Sequence, residues 1–127
     1  MKPITGEWII KAEGDFHTME RELRARKAPN YDSACFHAQQ CCEKYLKAYL
    51  GENDINFQKI HDLTILLKET DAIGFDWLSF MEDMAYLTQF GVIFRYPGDS
   101  ADREMARDAR KRCRRFREAV KSSLNIP

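Results

Sequence analysis

The sequence predicts an all-α fold, an up-and-down four-helix bundle with one extra short helix. Three observations lead there. Apolar residues recur at spacings of three and four in several segments. No segment sustains the period-two alternation of a half-buried strand. Pro29, Gly51, Gly74 and Pro97-Gly98 punctuate the periodic segments at intervals suited to short turns. The 127 residues have room for one domain with an ordinary core, residues 1–127 forming a single helical domain.

The first helix starts at Thr5, a suitable N-cap with Glu7 in the first turn. Trp8, Ile9, Ala12, Phe16, Met19 and Leu23 make its apolar stripe, and Ala28-Pro29-Asn30 ends it, because the residue before a proline is pushed out of the α region. The second helix runs from about Tyr31 to Leu50 with Gly51 at the C-cap position. Its stripe of Ala34, Cys35, Ala38, Cys41 and Cys42 is small enough to let another helix approach closely, and Tyr45, Leu46 and Tyr49 continue it. A polar loop, Glu52 to Asn56, leads to a short helix near Lys59–Thr70 with Ile60, Leu63, Leu66 and Leu67 inward. Gly74 breaks that helix. Asp76 then caps a fourth one carrying Trp77, Phe80, Met81, Met84, Leu87 and Thr88. Residues 91–100 are an interruption, and Asp99 or Ser100 starts the last helix, with Ala106, Ala109, Cys113, Phe116, Val120 and Leu124 on one face.

Composition narrows the function classes. With 44% hydrophobic and 31% charged residues, the chain is neither disordered nor of low complexity. No apolar run approaches the ~18–20 residues that span a bilayer, and acids sit where a signal peptide would be apolar. The four cysteines lie inside apolar patterns rather than at disulfide spacings, which points to the reducing cytoplasm. A formal net charge of zero hides an asymmetry: residues 1–98 carry a balance of −4 and residues 99–127 a balance of +4. Segment 52–83 holds eight acids against Lys59 and Lys68, while 103–117 holds eight basic residues against Glu104 and Asp108. The basic run is either a nucleic-acid patch or a solvated helix paired with the acidic segment.

Several residues could carry chemistry. His37, Gln40, Lys44 and Lys47 share a face of the second helix and could present donors to an anion, or make solvated and inter-helix contacts. Arg95 could fork onto a phosphate while Tyr96 stacks on a base; alternatively Arg95 caps carbonyls and Tyr96-Pro97 shapes the turn. His37 and Cys41 make half a zinc site with no second half, so no metal is expected. His61-Asp62 is an acid–base pair or a structural helix start. There is no glycine-rich phosphate loop, no Ser/His/Asp arrangement and no carboxylate cluster at metal-ligand spacing, so no cofactor is expected.

The second helix, YDSACFHAQQCCEKYLKAYL, resembles the signature helix of HEPN domains, small helical bundles described as nucleotide-binding. EWIIKAEGDF is similar to the family's first helix, KIHDLTILL to its short third one, and RYPGD at Arg95–Asp99 to the Arg-Tyr-Pro motif before its last helix. The resemblance implies a nucleotide or RNA phosphate as ligand; the candidate residues are Arg95, Tyr96 and Asp99 of the motif, with His37, Lys44 and Lys47 from the donor face of the second helix. Ribonuclease members carry a His after four to six intervening residues, but Ser100, Ala101 and Asp102 stand at those positions beyond Arg95, which disfavours an RNA-cleaving toxin. The chain is closer to minimal HEPN proteins that act beside a small nucleotidyltransferase in toxin–antitoxin pairs. An RNase reading would need a displaced helper such as His37 or His61. A homodimer is expected as well: Phe90, Val92, Ile93 and Phe94 make an apolar patch beside Arg95, and family members pair so that two Arg-Tyr-Pro regions share a cleft.

Overall fold

The computed structural model describes residues 1–57, 59–94 and 96–127, and among these every regular element is helical. The elements are α1 (Pro3–Arg24), α2 (Tyr31–Glu52), α3 (Leu63–Glu69), α4 (Met81–Thr88) and α5 (Arg103–Ser123), with 3-10 turns at Thr70–Ile73, Trp77–Phe80 and Gln89–Gly91. α2 runs antiparallel to α1 and parallel to α5. Glu13 of α1 faces Arg117 of α5 and Glu20 faces Arg110, so that pair is antiparallel too. After α2 the chain doubles back to Asp62, rises through α3, and descends through α4, whose end meets the start of α3 where Leu63 N donates to Thr88 Oγ1.

The helix ends differ from the sequence expectation in five places, each for a local reason. α1 begins at Pro3, since proline fits a first-turn position that needs no N–H donor. Thr5 is therefore inside the helix and buried; its hydroxyl and the Lys2 N–H both donate to Glu52 Oε1, tying α1 to the end of α2. Gly51 does not stop α2: the helix continues to Glu52, and Asp54 at φ 59° takes the left-handed position instead. α3 starts four residues after Lys59, where Asp62 caps Thr64 N at 2.9 Å. α5 is capped by Asp102, which accepts from Met105 N at 2.8 Å, rather than by Asp99 or Ser100. The Asp76 carboxylate accepts from Ser79 Oγ, and the first turn after it is 3-10 before α4 begins at Met81.

The small stripe of α2 does what its residues predict. Ala34, Cys35, Ala38, Cys41 and Cys42 are buried, so α1 and α5 can close on α2. All four cysteines are free and buried, and burial pushes the Cys41 and Cys42 thiols well above the ordinary thiol range. Phe75, Phe80 and Phe116 form an aromatic cluster with centroids 5.4–6.0 Å apart, closing the end of the core near Tyr49.

The acids that answer α5 come mainly from α1. Arg117 donates to both oxygens of Glu13 at 2.6 and 2.7 Å, and Arg110 donates to Glu20. From the acidic segment, Asp83 alone among the described residues pairs with α5, binding Arg112 and Arg115. The guanidinium groups also lie over rings: Arg112 on Tyr86, Arg115 on Phe80 and Arg117 on Phe16, at 4.1–4.6 Å. The basic run is thus partly a packing device.

Arg117 donates to the Glu13 carboxylate, Tyr45 Oη adds a third bond, and together they outweigh the opposing effect of burial, holding that group at about 2 against an ordinary 4.5. Because the folded value is depressed, the stabilisation is present above the ordinary value and is lost as pH falls through about 2. Glu13→Gln is therefore expected to lower stability by about 2 kcal/mol at neutral pH. Urea unfolding across the acid range checks this: the wild-type advantage should shrink below pH 4.5 and vanish under pH 2.

Candidate functional site

Where the first half of α2, the loop before α3 and the end of α4 meet, the surface is grooved. One hollow of ≈ 520 Å³ is lined by Phe36, Gln40, His61, Asp62, Thr88, Gly91 and Val92. A neighbouring one of ≈ 460 Å³ shares Phe36, Gly91 and Val92 and adds Asn30, Asp32, Ser33, Phe90 and Phe94. Phe36 and Val92 stand between the two hollows, and the chain leaving Val92 leads directly to the Arg-Tyr-Pro segment. Arg95 itself lies outside the described residues. Tyr96 is 75% exposed and Asp99 is exposed, so both are open to solvent beside the groove's last lining residues in sequence.

The α2 face predicted to present donors is divided. His37 Nδ1 lies 2.8 Å from Asp15 Oδ1, and Lys44 Nζ donates to Asp15 Oδ2 at 2.5 Å, so these two converge on one buried carboxylate of α1. Burial works to raise the pKa of Asp15, but the bonds from His37 and Lys44 outweigh it and hold the group below the ordinary carboxylate range. Lys47 is buried. Its ammonium donates to Glu43 Oε2 at 3.0 Å and lies over the rings of Trp8 and Phe57. Of the four, Gln40 reaches the groove, donating at 2.7 Å to Gln39 Oε1 while its side chain lines the wall.

The groove holds one group whose setting the sequence does not reveal. His61 Nδ1 lies 3.0 Å from Glu43 Oε1, and Glu43 also accepts from Gln39 Nε2 at 3.1 Å and from Lys47. Gln39 reaches the His61 carbonyl as well, at 3.2 Å. Glu43 is a carboxylate with 5% of its side chain exposed, yet the imidazole it holds is 76% exposed. Burial opposes the charge of Glu43; the three donors, Lys47 foremost, outweigh that and keep its pKa below the ordinary value. A buried carboxylate with a lowered pKa thus orients an imidazole that faces the groove. Glu43 and His61 are not legible as partners in the sequence. The His-Asp-Leu segment marks the place, but an 18-residue separation between His61 and Glu43 leaves no periodic signal.

Asp62 next to it resolves in favour of the structural reading, since Oδ1 caps Thr64 through both its N–H and its hydroxyl. Among the described residues, no group of three His, Cys, Asp or Glu side chains is placed to hold a metal ion. Nor is any helix among them long and apolar enough to cross a membrane.

The network separates support from function. Glu43→Ala leaves the Lys47 ammonium buried without a counter-ion and is expected to cost about 3–5 kcal/mol. His61→Ala removes a mostly exposed ring and should cost about 1 kcal/mol or less. Urea unfolding of both variants measures the contrast; equal costs would mean that His61 holds the network rather than being held by it.

The HEPN domain model matches residues 5–123 of the chain. No curated protein matches it in sequence. Among solved structures, it is similar to TT1696 from Thermus thermophilus, at 21% identity and a TM-score of 0.80, over 93% of this chain and 96% of that one. It is also similar to ST0689, an archaeal HEPN homologue, at 23% identity and a TM-score of 0.77, over 98% of this chain and 99% of the other.

Proposed function

The chain belongs to the HEPN domain family, and on that premise we propose that it is a nucleotide-binding helical protein, the accessory subunit of a small nucleotidyltransferase in a cytoplasmic toxin–antitoxin pair. The observation that carries this reading is the groove between α2, the His61 loop and Val92, whose lining extends to Phe94, the residue that precedes the Arg-Tyr-Pro segment in sequence. An aromatic wall, hydrogen-bonding side chains and a following Arg-Tyr pair are the parts that a base, a sugar and a phosphate require. Arg95 is assigned to the phosphate, and Tyr96 and Asp99 to the rim. His37, Lys44 and Lys47 support the site from behind, since each already has a carboxylate partner inside the bundle.

A two-fold dimer completes the proposal, on a smaller patch than the sequence implied. Phe90 belongs to the core, and Ile93 and Phe94 pack against it. Val92, at 62% exposed, lines the same hollows as Phe36, and Tyr96 is exposed four residues further along the chain. These three are assigned to the contact with a second copy.

One observation favours a second reading, an RNA-cleaving toxin. His61 lines the groove next to Gly91 and Val92, whereas His37 is taken up by Asp15. If the chain cleaves RNA, His61 is the helper.

Calorimetry with nucleoside triphosphates, with the chain alone and with its nucleotidyltransferase, should give a Kd of about 1–100 µM, weakened at least tenfold by Arg95→Ala. The absence of heat in both cases removes the reading. Incubation with tRNA should leave it intact; cleavage lost in His61→Ala and kept in His37→Ala would establish the toxin instead. Light scattering should give twice the chain mass, and Val92→Asp should give a monomer with an unchanged circular dichroism spectrum. A wild-type monomer at tens of micromolar would end the dimer.

A further inference from the structure

Resting on the nucleotide-binding reading of the groove, we propose that His61 and Asp62 form a base-reading edge that selects a base rich in N–H donors, guanine above uracil, with Glu43 as the residue that positions His61. His61 is clamped at both its ring and its backbone. Glu43 holds Nδ1 at 3.0 Å, and Gln39 holds the carbonyl at 3.2 Å. Thr88, which also accepts from Leu63 N, closes the same turn. An exposed imidazole fixed this firmly by buried groups is arranged to meet something in the groove.

Its chemistry follows from its partner. A carboxylate accepts and does not donate, so the proton on a neutral His61 sits at Nδ1 and the lone pair at Nε2. Nε2 is then an acceptor, and Asp62, exposed and lining the same hollow, adds a carboxylate whose Oδ1 caps Thr64 and whose other oxygen is assigned to the base. Among the described residues, no Lys or Arg lines this hollow. A phosphate placed inside would face a carboxylate without a compensating cation, so the hollow suits the base rather than the phosphate. Phe36 and Val92, which line the same hollow, are apolar and suited to the face of a flat ring. Two acceptors side by side are complemented by adjacent donors. Guanine presents two, N1–H and N2–H, on one edge. Adenine and cytosine each present one amino group next to a ring acceptor. Uracil presents a single N3–H between carbonyl oxygens, which both acceptors would repel.

The test is competition binding of GMP, AMP, CMP and UMP to the full chain, with phosphate-free guanosine as a separate arm, alongside ¹⁵N spectra of the His61 imidazole. GMP should bind about tenfold or more tightly than UMP, and guanosine alone should perturb the His61 signals. In His61→Ala, with folding confirmed by circular dichroism, the four nucleotides should fall within about twofold of one another. The unliganded protein should show the Nδ1–H tautomer at His61, and Glu43→Gln should shift it. Equal affinities for all four in the wild type, or a guanine preference that survives in His61→Ala, overturn the base-reading edge. If Arg95→Ala still weakens those equal affinities, the nucleotide-binding reading survives. If none of the four nucleotides binds, both fall together.

Discussion

Everything in this fold follows from the burial of α2 on nearly all sides. α1 and α5 close on its small stripe, while the His61 loop, α3 and the turn after α4 cover most of the rest, so that Gln39, Glu43 and Lys47 are buried along with the apolar residues. A buried polar group without a partner costs more than a hydrogen bond contributes, so each must be answered from inside the bundle. Lys47 and Gln39 answer Glu43, and the outer lone pairs of Glu43 are left to draw in the imidazole of His61. The same constraint on the α1 side gives Asp15 its two α2 donors and Tyr45 its bond to Glu13. Among the described residues, no buried side-chain nitrogen or oxygen lacks a partner. The candidate site is thus a by-product of satisfying a central helix.

Charge is organised by the same constraint. α5 is the most basic element, yet Arg112, Arg115 and Arg117 are committed to Asp83 and Glu13 and lie on aromatic rings. Pairs of this kind at partly exposed positions contribute modestly one by one. Their larger effect is on register: Glu13 with Arg117 and Glu20 with Arg110 fix how far α1 slides along α5. That in turn sets the height at which α5 begins, with Ala101 N held by Asp32 at 2.6 Å on the start of α2. The turn carrying Tyr96 and Asp99 is bracketed by that contact on one side and by core-seated Phe90 on the other.

Much of this architecture is legible in the sequence because helical periodicity is a local property. The stripes through Ala12, Phe16 and Met19, through Ala34, Ala38 and Cys41, and through Ala109, Cys113 and Phe116 are all buried as their spacing implies. Helix ends are less legible, since more than one residue near each boundary can cap. Asp99, Ser100 and Asp102 are equally suitable in composition, and tertiary contact of Ala101 with Asp32 decides among them. The site is the least legible part. His37, Lys44 and Lys47 share one helical face by spacing, but a face does not say which carboxylates wait opposite it. Asp15 and Glu43 are such partners, one on another helix and one on the same helix. His61 could be seen as a residue with chemistry, but its orientation depends on Glu43 and Gln39, which only the closed fold brings to it.

The central claim is that the surface between Phe36, His61 and Val92 is where a nucleotide sits. A titration of isotopically labelled chain with GMP, followed by backbone amide shifts, locates the ligand without any substitution. Changes are expected at Phe36, Gln40, His61, Asp62, Thr88 and Val92, extending to Tyr96 and fading along α5. Shifts confined to the outer cations of α5, Arg107, Lys111 and Arg114, with the groove amides unmoved, would contradict the claim.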